Sequence, residues 1–147
     1  MGVKITYSTA YRAKERANEI NNGTHDAAYQ ALPKYCQDII NSNPNSIAIL
    51  EKTLDNKFLR LFICYGTCAI GFVHCRPLLG LDGTHLKYKY QGTITIISLL
   101  KVGILLTATG VDANGSLLPL AYVVVNAEND VNWFWFLQHL RNVLETH

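Results

Sequence analysis

Pro77-Leu-Leu-Gly-Leu-Asp-Gly-Thr-His-Leu-Lys87 is the stretch from which the fold is read. Short Leu runs bounded by Pro and Gly predict a buried strand. The run delivers one acidic residue, Asp82, at its predicted exit, and Gly83 then frees the backbone to turn. A carboxylate at the end of a strand is a common way to hold a divalent cation over a sheet edge, which makes Asp82 the candidate catalytic and metal-binding residue. Metal-dependent phosphoryl chemistry needs several such carboxylates, so the rest of the chain has to be searched for partners.

Working outward, the chain of 147 residues is sized for one domain with a real core. It is 49% hydrophobic and only 16% charged, a globular composition that excludes disorder. Thirteen basic against eleven acidic residues give +2, which carries no nucleic-acid signature by itself. No apolar leader opens the chain, so Cys36, Cys64, Cys68 and Cys75 are expected as free thiols in a reducing compartment. Cys64-x3-Cys68-x6-Cys75 with His74 invites a zinc reading. Adjacent His74 and Cys75 diverge in regular structure, however, so buried core thiols are the expectation.

Toward the N-terminus, Ser8-Thr9 is placed to cap a helix whose apolar positions are Ala10, Ala13, Ala17 and Ile20. A second helix follows Thr24, with Ala28, Leu32, Cys36 and Ile39 or Ile40 on one face and a kink or restart at Pro33. Ser46–Leu50 and Phe58–Cys64 read as strands of a hairpin turned at Asp55-Asn56. Toward the C-terminus, Lys87/Lys89 and Tyr88/Tyr90 alternate as in an extended segment. The apolar run from Thr93 is interrupted by Lys101 and is rich in Thr and Ile, more strand than membrane helix. Leu105–Val111 and Ser116–Val125 read as strands joined at Asp112-Ala-Asn-Gly115, with Asp112 serving the turn and Pro119 confined to an edge or a bulge. Asn129 or Asp130 then caps a helix carrying Trp133, Phe136 or Leu137, Leu140, and Val143 or Leu144 as its apolar stripe, with no role for His139.

Leu81-Asp-Gly-Thr-His-Leu-Lys87, Leu105-Leu-Thr-Ala-Thr-Gly-Val-Asp-Ala-Asn-Gly115, Leu118-Pro-Leu-Ala-Tyr122, Asn126-Ala-Glu-Asn129 and Trp133-Phe-Trp-Phe-Leu137, in that order, resemble plant Mutator-like element transposases. The likeness is to the MuDR-type transposase core. Tyr11-Arg-Ala-Lys14, Leu32-Pro-Lys-Tyr-Cys36, Phe62-Ile-Cys64, Gly71-Phe72 and Cys75-Arg-Pro77 resemble the segment that precedes the core. The resemblance implies an α/β (α+β) chain. Residues 1–75 form a helical and short-strand segment, and 76–147 an incomplete ribonuclease-H-like mixed sheet. Residues 93–104 look inserted, as a translated intron or gene-model error would be.

The family sets an Asp, Asp and Glu around two divalent metals, Mg or Mn, to cut DNA and transfer strands in the nucleus. Asp82 matches the first acid. The other two belong beyond the aromatic helix, and Asp112, Glu128 and Asp130 do not match them. The expectation is therefore a transposase fragment that does not cleave DNA by itself. It would have no membrane or small-molecule partner and an exposed sheet edge open to self-association. The alternatives are a transposase-derived DNA-binding or regulatory remnant without enzymatic activity, and an inert fragment.

Overall fold

The computed structural model describes residues 6–22, 25–85 and 103–146. They form a mixed α+β fold around a five-stranded antiparallel sheet of order β1-β2-β5-β4-β3. The elements are α1 (Tyr7–Asn22), α2 (His25–Ser42), β1 (Ile47–Lys52), β2 (Phe58–Cys64), α3 (Gly66–Phe72), β3 (Leu79–His85), β4 (Ile104–Val111), β5 (Leu117–Val125) and α4 (Asp130–Thr146). Lys87–Tyr90 and nearly all of 93–104 lie outside the described residues.

Local chemistry explains the turns and caps. Asp112 Oδ1 accepts the N–H groups of Asn114 (2.8 Å) and Ser116 (2.7 Å), and Gly115 takes the positive φ of 85° that the reversal needs. Asn129 Oδ1 accepts the Asn132 N–H at 2.9 Å and caps α4. Pro119 sits where the β4–β5 register slips, opposite Thr109 while Ala108 faces Ala121. Its missing N–H is tolerated because β2 reaches only from Ala121 onward. At the N-terminus the cap of α1 is Thr6, whose Oγ1 accepts the Thr9 N–H at 3.4 Å. Ala10, Ala13 and Ala17 are all exposed, so these three expected positions cover no core. Helix α2 runs unbroken through Pro33, which lies on its exposed side.

The sheet is covered on both faces, unevenly. On one face Phe62, Leu106, Ala108, Val123 and Val125 meet Trp135, Phe136, Leu140 and Val143 of α4, with Ala69 of α3 at the margin. Phe136 is fully buried, which contributes about 1.5–3 kcal/mol by area. On the other face Leu32, Cys36 and Ile39 of α2 pack on Leu61, Ile63 and Val124. That helix sits over β1 and β2 and leaves β3 and the adjoining side of β4 open.

Three expectations are corrected here. The Leu-rich stretch is not a buried strand: among the described residues β3 pairs only with β4, and Gly80, Leu81, Asp82, Thr84 and His85 are exposed. Asp82 is not at the strand's exit but at its middle, because pairing continues through Gly83 to His85. The sheet is not mixed among the described residues, since every pairing is antiparallel. The physical reason is that β4 and β5 are joined by a tight turn, while β2 enters beside β5 running against it.

Candidate functional site

Asp82 has Thr107 as its cross-strand partner, Thr107 has Tyr122, and Tyr122 has Ile63. Directly opposed residues of antiparallel strands share a face. Asp82 therefore stands at the end of a row that crosses the α2 face of the sheet. The Thr107 hydroxyl is 3.5 Å from the Asp82 carbonyl oxygen, at the limit of a hydrogen bond. Further along the row, the hydroxyls of Tyr35, Tyr65 and Tyr122 interact with one another. Burial, followed by the neighbouring Tyr65, raises the pKa of both Tyr35 and Tyr122 and so keeps them protonated. These phenols are hydrogen-bonding groups at neutral pH and supply no base.

The opposite face of β3 carries Gly83, and there the second acid of this region is found. A methyl group built on Gly83 would come within 2.8 Å of Glu128 Oε1 and 3.3 Å of Oε2. The Trp133 Nε1–H donates to the same Oε1 at 3.2 Å. His85, Ile104, Asn126, Ala127 and Glu128 border a shallow cleft of about 450 Å³ on this side. Asp82 and Glu128 thus straddle the strand rather than converge on one point. Asp112 is occupied in its turn, and Asp130 lies exposed in the first turn of α4.

Whether these residues suit the divalent pair that the resemblance implies can be judged from the donor set. A two-metal centre draws on several carboxylates to bridge and neutralise the ions. Among the described residues no group of three or more His, Cys, Asp or Glu is placed to hold a metal. Asp82 offers one exposed carboxylate, so the described residues by themselves do not fit a two-metal centre.

Of the four thiols expected in the core, Cys36 and Cys64 are there and are equally unsuited to chemistry, while Cys68 and Cys75 are only partly buried. Cys36 and Cys64 are buried, and the Cys64 thiol lies 3.2 Å from the Leu120 carbonyl. Burial pushes Cys64 up to about 11 and raises Cys36 as well, away from the thiolate that a nucleophile requires. All four cysteines are free. Among the described residues no helix is long and apolar enough to cross a membrane.

A polar cluster that sequence reasoning missed lies at the other end of the sheet. Arg60 Nε donates to Glu51 Oε2 at 2.7 Å, and the Trp135 indole N–H donates to Glu51 Oε1 at 2.9 Å. The Arg60 guanidinium carbon stands 4.3 Å from the Trp135 ring centre, and one of its nitrogens reaches Asn132 Oδ1 at 3.4 Å. Asn132, only 4% exposed, is completed by the Ala127 carbonyl at 2.7 Å. His139 meets Trp135 edge to face at 4.5 Å and Phe62 at 5.6 Å. Part of this was available in advance, because Glu51 and Arg60 oppose each other once the hairpin register is drawn from Asp55-Asn56.

Comparison of the chain with protein-family models, with curated proteins and with solved structures found no match.

Proposed function

We propose that these residues belong to the ribonuclease-H-like core of a Mutator-like element transposase, with Asp82 as the first acid of its catalytic set. The observation that carries the reading is the place of Asp82. It lies mid-strand in the first member of an antiparallel β3–β4–β5 run that leads directly into α4. Of the ordered motifs, Leu81–His85, Leu105–Val111, Leu118–Tyr122 and Trp133–Leu137 fall on these four elements, and Asn126–Asn129 on the loop that leads into α4. Among the described residues the outer edge of β3 is unpaired, which adds support. β4 and β5 each have neighbours on both sides, so a further strand carrying another acid could join beside Asp82 without breaking a pairing.

On this reading the reaction class is metal-dependent DNA cleavage and strand transfer, the partner is DNA and the location is the nucleus. The 147 residues supply a ligand rather than an active centre. Two divalent cations facing one carboxylate repel each other without compensation. The chain therefore takes up a divalent ion weakly at Asp82 and does not cut DNA.

The test is a Mn²⁺ titration of the ¹⁵N-labelled chain alongside a supercoiled-plasmid nicking assay. Paramagnetic broadening should centre on the amides around Asp82 and vanish in Asp82→Asn, with no nicking in either protein. Broadening that ignores Asp82 would refute its assignment as a metal ligand. Divalent-dependent nicking lost in Asp82→Asn would refute the inactivity of this chain.

A further inference from the structure

We propose that Glu128 is a positioning residue for the edge strand β3: its carboxylate, held by Trp133, seats on the bare backbone of Gly83 and fastens the segment that carries Asp82. The inference does not depend on what Asp82 does. Among the described residues strand β3 has a hydrogen-bonded neighbour on one side only, and most of its side chains are exposed, so pairing with β4 is its main restraint there. A second restraint has to come from an element outside the sheet. Glu128 lies between the end of β5 and the start of α4, and its two carboxylate oxygens lie 2.8 and 3.3 Å from where a Gly83 side chain would begin. The seat exists only because position 83 has no Cβ.

The same carboxylate accepts the Trp133 indole N–H at 3.2 Å, and Trp133 packs against the core cluster under α4. Helix α4, Trp133, Glu128 and Gly83 therefore form a continuous line from the core to the edge strand. This gives Gly83 a purpose different from the turn that sequence reasoning assigned it. It also places the restraint one residue from Asp82, on the face that Asp82 does not use.

The arrangement separates two kinds of substitution. Glu128→Gln keeps an oxygen for the indole and the same side-chain length, so it retains the seat. Glu128→Ala removes it. Gly83→Ala expels it, and since the displaced atoms are the end of a flexible side chain, the fold survives.

The experiment is amide hydrogen exchange on the whole chain and these three variants, with thermal unfolding recorded in parallel. The β3 amides of Glu128→Ala and Gly83→Ala should exchange about twofold faster, on the scale of one lost surface contact, while those of β2 and β5 stay unchanged. Glu128→Gln should restore most of the protection. A generally destabilised fold would speed exchange in all strands and would not be rescued by Gln, which overturns the proposal. Unchanged β3 exchange in Glu128→Ala overturns it as well. A failure of the Mn²⁺ titration at Asp82 with these β3 effects intact would remove the transposase reading and leave the positioning role in place.

Discussion

The two edges of the sheet solve the same problem in opposite ways. Strand β1 has one hydrogen-bonded neighbour, like β3, yet it is closed. Its register slips between Glu51 and Lys52, Glu51 is tied to Arg60 and to the Trp135 indole, and α2 lies across it. Strand β3 runs seven residues in unbroken register with β4. It presents no proline or lysine, and Leu81 is 46% exposed. Natural sheets blunt an edge with charge, a bulge or a covering element. At β1 all three are present. At β3 only Asp82 and the Glu128 contact stand in their place.

The largest effect should come from dismantling the closed edge. Trp135→Ala removes a 6%-exposed ring that packs on Phe62, lies beneath Arg60 and donates to Glu51. Urea unfolding should show a loss of about 3–5 kcal/mol. Arg60→Met keeps the stem and removes the charge. The Arg60 side chain is 14% exposed and that of Glu51 37%, so the loss should be about 2 kcal/mol, between exposed and fully buried pairs.

A pH effect of smaller size belongs to the same edge. Burial against Trp135 and Phe62 lowers the pKa of His139 from its ordinary 6.5, with Glu51 opposing the shift and Arg60 adding to it. Between the folded and ordinary values the unfolded chain binds more protons. The His139 contribution is therefore complete above pH 6.5 and is lost as pH falls through the folded pKa. His139→Gln should flatten the stability profile in that window, as read by unfolding at a series of pH values. The smallest effect is expected at the open edge. Leu81→Lys should change stability by no more than about 0.5 kcal/mol, yet reduce any concentration-dependent association seen by sedimentation.

How much of this could be read from residues follows from how local each cause is. The Asp112–Gly115 reversal, the Asn129 cap, the Phe58–Cys64 strand and the α2 face of Leu32, Cys36 and Ile39 were all legible, because neighbours in sequence set them. The exposure of β3 was not legible, because a Leu-rich run looks the same whether or not a distant helix covers it. The insertion of β5 between β2 and β4 was hidden for the same reason, being a pairing of segments some sixty residues apart. Helix α1 shows the reverse error: its Ala spacing suggested a buried face that the described residues leave exposed. At the candidate site, residue type singled out Asp82, but its setting was misjudged, since it lies midway along an exposed strand and not at the exit of a buried one. The Glu128 seat was not legible, since it depends on an absent Cβ meeting a side chain 45 positions later.

The most direct test of the contrast is amide exchange of the unmodified chain, resolved by residue in β1 and β3. The closed-and-open account predicts that the amides of Leu79–His85 not bonded to β4 exchange at nearly unprotected rates, while Ala48–Glu51 retain protection from α2 and the Glu51 cluster. Equal protection along both edge strands, or stronger protection in β3, would contradict it. It would mean that the strand bearing Asp82 is already covered.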